Sequence, residues 1–586
     1  MAMHSGNSFS RSGELDEAEN QLFRHKTRKR MIILILSSIV LSVVVVATIA
    51  GTLIHAHDTP SSYSAPSSLE LTPAASIKAV CNVTRYPNSC ISGISSHPSY
   101  FNTTDPEMLF MFSLRVAIDE LSKLAAYLAK LRGSVKDQSI KTALDVCGNV
   151  LEDAADRLND SISSLELGGG EAILTPAKID DLRTWLSATV TDQETCLDAI
   201  EELNSTDAQE ILRDMRTAME NSTESSSNSL AIVRKILRVL AKVHLPLHRR
   251  LLGTGYPEWV GPTERRLLQQ EANRTTMADA VVAKDGTGQY RTINEAVAAV
   301  KEKSESRFVI YVKEGVYVEN VELKKDMWNV MIIGDGKNKT VISGRRNSVD
   351  GAPTFDTATF AVSGKGFIAK DIGFVNNAGP AKQQAVAMRS GSDKSVFYRC
   401  SFDAFQDTLY AHSNRQFYRE CDITGTIDFI FGNAASVFQN CTIIPREPLP
   451  GQFNTVTAQG KTDPNQNTGI VIHDSSISAL DNLTASTYLG RPWKNYSTTV
   501  IMKSEIGPFL DPMGWTEWST DVEAPSTIFY AEYQNTGPGS NVTQRVRWAG
   551  YKPNLSEDEA RKFSVGSFIQ ASQWLPDTGV EFQSSL

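Results

Sequence analysis

FYRCSFDAFQDTLYAHSNRQFYRECDITGTIDFIFGNAASVFQNCTI, residues 397–443, repeats itself. FYRCSF begins at Phe397, FYRECDI at Phe417 and FQNCTI at Phe438, a period of 20 and then 21 residues. Each copy is a short alternation of apolar and polar residues ending in turn formers, the pattern of a half-buried strand. Strands recurring every 20 residues or so specify a solenoid, whose coils bury their apolar faces against their neighbours.

The repeat also places chemistry. Asp407 lies 10 residues after Phe397 and Asp428 lies 11 after Phe417, so the two occupy equivalent positions on successive coils. Stacked strands sit about 4.8 Å apart, which brings the two carboxylates side by side on one outer face. Two acids that close do not both ionise readily, and one keeps its proton near neutral pH. A proton donor beside an ionised nucleophile is the result. A lone turn aspartate is usually just solvated. The shared register and the apolar neighbours Phe405, Phe429, Ile430 and Phe431 argue against that here. Cys400, Cys421 and Cys441 follow the same register, and geometry allows Cys400–Cys421 or Cys421–Cys441 as a disulfide.

The solenoid extends over residues 269–586. VVAKDGTGQYRTINEAVAAV (281–300) reads as strand, turn and amphipathic helix, the helix capping the N-terminal end. RFVIYVKEGVYVENVEL, VMIIGDG, TVISG, ATFAVSG, FIAKDIGFVNNA, GIVIHDSSI and TTVIMKSEIG supply further strands. A right-handed parallel β-helix accounts for them better than a sandwich, because Asn-Gly hairpin turns are scarce. The late segment SVGSFIQASQWLP is expected to pack back and protect an exposed edge.

The 586 residues are 41% apolar and 21% charged with net charge −9, enough for two or more cored domains. No basic patch marks a nucleic-acid partner. Residues 1–30 form a polar tail ending in RHKTRKR, and Met31–Ile54 then runs for 24 residues without a charge. That length spans a bilayer, and the basic flank keeps the N-terminus cytosolic. A signal anchor is expected, with a cleaved signal peptide as the alternative. Either route places the remainder in the oxidising secretory lumen, where disulfides and glycans at sequons such as Asn82, Asn102, Asn204 and Asn541 are permitted.

Residues 55–75 read as a Ser/Pro/Thr-rich linker. Residues 76–243 switch to helical period in MLFMFSLRVAIDELSKLAAYLAKL, IKTALDVCGNVLEDAADRLNDSISSL and IDDLRTWLSATVTDQETCLDAIEEL, with SLAIVRKILRVLAKV closing the series. An all-α, up-and-down four-helix bundle with an N-terminal extension follows. Cys81 and Cys90 are near enough to close a small loop, leaving Cys147 and Cys196 to join two helices. Residues 244–268 form an exposed linker carrying one motif twice, Arg249-Arg250-Leu251-Leu252 and Arg265-Arg266-Leu267-Leu268, which suits proteolytic processing.

CNVTRYPNSC, the helix of Cys147 and TWLSATVTDQETCLDAI resemble the plant invertase and pectin methylesterase inhibitor domain. GPAKQQAVAMR (Gly379–Arg389), FQDTLY (Phe405–Tyr410), GTIDFIFGNA (Gly425–Ala434) and LGRPW (Leu489–Trp493) are similar to the signature segments of pectin methylesterases. The resemblance implies a pro-enzyme that hydrolyses methyl esters of homogalacturonan to pectate and methanol in the cell wall. Asp428 would be the nucleophile and Asp407 the acid, then the base. Gln384 and Gln406 would hold the oxyanion, and Arg491 would orient Asp428. Thr354, Tyr410, Phe431, Trp493 and Trp515, with Gln384 and Arg491, would contact substrate. It also implies the pairings Cys81–Cys90, Cys147–Cys196 and Cys421–Cys441, with Cys400 free. Further implied are release from the pro-region at the RRLL motifs by a subtilisin-like protease, restraint or chaperoning of the enzyme until then, a proteinaceous inhibitor as partner, and a monomeric mature form.

No cofactor or metal is expected, since His412 and His473 stand alone and GDG and DGTG are solenoid turns. Two stacked carboxylates would also suit a pectin glycosidase with retaining geometry. The flanking glutamines favour ester chemistry, because an oxocarbenium transition state has no oxyanion to stabilise. The non-enzyme alternative is a membrane-tethered inhibitor or binding protein acting through its bundle.

Overall fold

The computed structural model describes residues 72–97, 103–166, 174–239, 278–519 and 522–586. The Met31–Ile54 segment and both RRLL motifs lie outside the described residues. Among the described residues no helix is long and apolar enough to cross a membrane.

The helical region has two short helices, α1 (Pro73–Cys81) and α2 (Pro87–Ser95). Four long ones follow: α3 (Pro106–Ser134), α4 (Gln138–Glu166), α5 (Pro176–Glu201) and α6 (Thr206–Ile232). Their starts are written locally. Asp105 and Thr175 cap α3 and α5 just before a proline that needs no N–H partner, and Ser205 caps α6. Disulfides Cys81–Cys90 and Cys147–Cys196 tie α1 to α2 and α4 to α5. The fourth long helix departs from expectation. It starts at Thr206, more than twenty residues before the apolar SLAIV run, and passes through the tract Ser225-Ser226-Ser227. Serine hydroxyls satisfy themselves on the preceding turn, as Ser225 and Ser229 do on Asn221 O and Ser225 O. The tract therefore buries without breaking the helix.

The remainder is a parallel β-helix with sheets of eleven, eight and seven strands, every ladder parallel. The seven-stranded sheet matters most: β1 (Val321–Leu323), β2 (Phe360–Val362), β3 (Met388–Ser390), β4 (Leu409–Ala411), β5 (Ile430–Gly432), β6 (Asn454–Gln459) and β7 (Thr487–Pro492), adjacent in chain order. Aromatics stack inside the coils, Phe397 on Tyr418 at 4.7 Å and Tyr418 on Phe438 at 4.3 Å. The register is thus Phe397–Tyr418–Phe438, and Phe417 joins Val396 and Val437 on the outer side. The FYR motif misaligned that strand by one residue, while the cysteine spacing had it right. One device recurs at each coil: Asp371, Arg399, Glu420, Asn440, Asp474, Lys503 and Gln534 all hold φ between 48° and 56°. These left-handed residues turn the chain sharply out of one sheet into the next.

The Cys421–Cys441 bridge is not formed, and Cys400, Cys421 and Cys441 are buried thiols. The in-register spacing of about 4.8 Å lies within the Cα range of a disulfide, so the direction of the thiols and not their distance keeps them apart. Cys421 instead points its thiol at Phe397 O, 3.3 Å away. At the N-terminal end the helix shrinks to α7 (Ile293–Val297), whose Ile293, Ala296 and Val297 enter the core. The SVGSFIQASQWLP segment covers a face instead of an edge. Val565, Ile569, Ala571 and Trp574 pack on Val309, Met331, Val396, Phe417 and Val437, the outer side of the eleven-stranded sheet.

Helix α5 is buried nearly all round. A helix with apolar and polar faces both buried lies between two bodies. Its apolar side enters the bundle core, and its other side lies on the seven-stranded sheet.

Candidate active site

Asp407 and Asp428 each stand two residues before a strand, β4 and β5, whose register pairs Leu409 with Ile430. The carboxylates are therefore vertical neighbours on the outside of the seven-stranded sheet. Both residues adopt the left-handed conformation, with φ of 65° and 53°. Aspartate tolerates that region better than most residues, and such strained positions cluster at functional sites.

Their surroundings differ. Asp428 is clamped: Arg491 Nε donates to Oδ1 at 2.9 Å, Arg491 Nη2 to Oδ2 at 2.5 Å, and Thr455 Oγ1 to Oδ1 at 2.6 Å. A bidentate guanidinium favours the ionised form. Asp407 has no such clamp. Burial pushes its carboxyl well above the usual range, with the Asp428 and Glu202 charges adding and Arg491 opposing. Burial holds Asp407 neutral, while Asp428 carries the guanidinium clamp.

Gln406 lies on the Asp407 rung and Gln384 on the coil before it, whose Met388 pairs with Leu409. Ser348 Oγ donates to Gln384 Oε1 at 2.6 Å, which turns the amide's N–H₂ away from Ser348. Ala385 N donates to Gln406 O at 3.2 Å, tying the two glutamine segments together. Thr354 opens a short 3₁₀ turn, and its backbone N–H donates to Glu202 of the bundle at 2.9 Å.

Aromatic rings form a continuous row beside the acids. Phe355 meets Tyr410 edge-on at 6.2 Å, Tyr410 stacks on Phe431 at 4.2 Å, Phe431 meets Trp493 at 6.1 Å, and Trp493 stacks on Trp518 at 6.3 Å. Trp515 does not belong to it. Its ring is fully buried among Tyr530 and Tyr551, and its indole N–H donates to the buried carboxylate of Glu532. Trp518 takes the place expected of it. It is 38% exposed, its ring lies 4.3 Å from the Arg491 guanidinium, and its carbonyl accepts from Arg491 Nη1. The sequence reading missed Trp518 because WTEW offers two tryptophans three apart, and only Glu532 decides which one turns inward.

A second set was missed as well. Thr184, Ser187, Thr191, Thr195, Asp198 and Glu202 recur at helical spacing along and just past α5, and all face the sheet. Thr184 accepts from Asn467 Nδ2 at 3.0 Å, and Gln466 Nε2 donates to Ser187 O at 2.9 Å. Asn433 Nδ2 donates to Thr191 Oγ1 at 2.9 Å, and Thr195 shares a 2.9 Å hydrogen bond with His412 Nε2. Lys494 donates to Asp198 at 2.5 Å and to Glu194 at 2.8 Å. Burial pushes Asp198 up to about 7, Lys494 opposing and Glu194 adding. Phe355, Tyr410, Phe431 and Trp493 share one apolar cluster with the bundle. The bundle lies over the two aspartates and their aromatic row.

The polar period on an otherwise apolar helix was the signal that could have found this stripe. His412 is held neutral by burial and by Arg389 and Arg157 nearby. Among the described residues no cluster of metal-ligating side chains occurs.

A family model described as Pectinesterase matches residues 279–572, and Pectinesterase 3 of Phaseolus vulgaris is 62% identical over 584 residues, spanning 99% of each chain. The chain belongs to the pectinesterase family. A second model, Plant invertase/pectin methylesterase inhibitor, matches residues 75–232 of this pectinesterase, the helical region. Pectinesterase 1 of Arabidopsis thaliana is 54% identical over the full length of both chains. Among solved structures, a pectin methylesterase from carrot is 52% identical, with TM-score 0.51, over 53% of this chain and 98% of its own. The carrot chain is matched almost whole by about half of this one, the share the β-helix occupies, so that protein is solved as a β-helix without a bundle.

Proposed function

We propose that residues 269–586 hydrolyse the methyl esters of pectin, releasing methanol and leaving carboxylate. The pairing of an Asp428 clamped by Arg491 and Thr455 with a neutral Asp407 one rung away carries this reading. Asp428 attacks the ester carbonyl, the amides of Gln384 and Gln406 receive the developing oxyanion, and Asp407 protonates the departing methoxide. The resulting anhydride is opened by water, from which Asp407, now ionised, removes the proton. Trp493, Phe431 and Tyr410 offer faces to successive sugar rings, and Trp518 extends the row.

The bundle is the restraint on this activity. Its α5 stripe covers the cleft, and Glu202 places a carboxylate on the Thr354 amide, beside Asp407. Met31–Ile54 carries the chain into the secretory pathway, and cleavage at an RRLL motif by a processing protease frees the catalytic region for the cell wall. The uncharged length of the first and the repetition of the second support both steps.

The test follows methanol and new reducing ends on highly methylated pectin, for the full chain and for residues 269–586. Methanol without reducing ends, released faster by the shorter form, is the expected result. Reducing ends without methanol would make the same aspartates a glycosidase pair.

A further inference from the structure

Thr455 stands in the same column as the two acids, one coil further on. The β5–β6 register pairs Ile430 with Thr457, which sets Thr455 directly over Asp428. It is fully buried, and its hydroxyl makes two contacts with one residue. Asp428 N donates to Thr455 Oγ1 at 2.8 Å, and Thr455 Oγ1 donates to Asp428 Oδ1 at 2.6 Å. The first contact fixes the second. A hydroxyl that accepts from the backbone N–H has its single proton free for the carboxylate.

Both acids are left-handed, but the Asp407 N–H finds Ile427 O at 3.0 Å, whereas the Asp428 N–H is directed to this side chain and not to a ladder carbonyl. Asp428 thus receives three side-chain donor contacts, two on Oδ1 and one on Oδ2. Oδ1 is saturated, and Oδ2 keeps a lone pair.

We infer that Thr455 is a positioning residue for the nucleophile, holding the Asp428 carboxylate so that Oδ2 is the atom presented to the ester. This rests on the esterase reading above. Thr455 itself touches no substrate. It acts by fixing the rotation of the carboxylate and by supplying a hydrogen bond to its charged form. The other groups facing Asp428 are Asp407, Arg491 and the buried Tyr530. Of these only Tyr530 carries a hydroxyl, and the donors on the Asp428 carboxylate are Thr455 and Arg491.

The experiment compares Thr455→Val, Thr455→Ala and Thr455→Ser in residues 269–586, measuring methanol release across pH. Valine keeps the shape and removes the hydroxyl. It should lower kcat about 10- to 100-fold with KM changed less than about threefold. The acid limb of the profile should move to higher pH, because the ionised carboxylate loses a donor. Serine should restore kcat to within about threefold and return the limb to its original position. If valine fails to fold, alanine carries the comparison. If neither folds, serine decides alone, since a role confined to methyl packing would leave its kcat and limb displaced. An unmoved limb in folded valine or alanine variants overturns the inference, as does serine behaving like valine. Parent protein that releases no methanol would fail the esterase reading itself, a result separate from any of these.

Discussion

The two sides of α5 are made by one helix from opposite materials. One side sends Ile179, Leu182, Leu186, Ala199 and Ile200 into the bundle core. The other lays threonine, serine, aspartate and glutamate on the β-helix. Apolar burial at about 25 cal/mol per Å² has no competitor in water. Each hydrogen bond on the polar side contributes only about 0.5–1.5 kcal/mol net, because water can replace it. The bundle is therefore permanent within itself and releasable from the cleft, as expected of interfaces more polar than a core.

Asp428→Asn should lower methanol release by residues 269–586 at least ~10³-fold while circular dichroism shows the fold intact; substantial activity would remove the nucleophile from the scheme. Trp515→Ala should cost about 3–5 kcal/mol in denaturant unfolding, because it empties a closed site and removes one of the donors on Glu532. Were Trp515 a sugar platform, stability would hold and KM would rise. Replacing Glu194 and Asp198 together with alanine leaves Lys494 under the bundle without a partner, at about 3–5 kcal/mol. The uncleaved chain should then gain activity by more than about tenfold, and no gain would mean that the polar stripe does not hold the cleft shut.

Proton uptake gives a smaller, graded test. Asp198 rises to about 7 when covered, from an ordinary value of 3.8, so the covered state binds more protons between those limits. Covering is therefore strengthened as pH falls through that window and flat above it. The activity of the uncleaved chain relative to residues 269–586 should rise about tenfold from pH 5.5 to 7.5. Asp198→Asn should flatten that rise; an unchanged slope would move the titration elsewhere.

What could be read in advance follows coil length. Met388, Leu409 and Ile430 pair at steps of 21 residues, and there the repeat, the two acids and the cysteine column all stand out. Other steps are 39 (Val321 to Phe360), 28 (Phe360 to Met388), 27 (Ile430 to Thr457) and 33 (Thr457 to Gly490), because loops of unequal length intervene. Thr455 sits beyond one such loop and carries no motif. The thiols stayed separate because register places cysteines in line but does not turn their sulfurs toward one another. The serine tract of α6 hid a helix, since propensity scales charge serine for a competition that tertiary packing settles.

Asp407 and Asp428 precede β4 and β5 of a seven-strand sheet, near its middle. A solenoid couples only nearest neighbours, so heat or force loosens it from its ends inward. The coils that bear the chemistry are then among the last to part, and terminal damage spends itself on strands the reaction never uses.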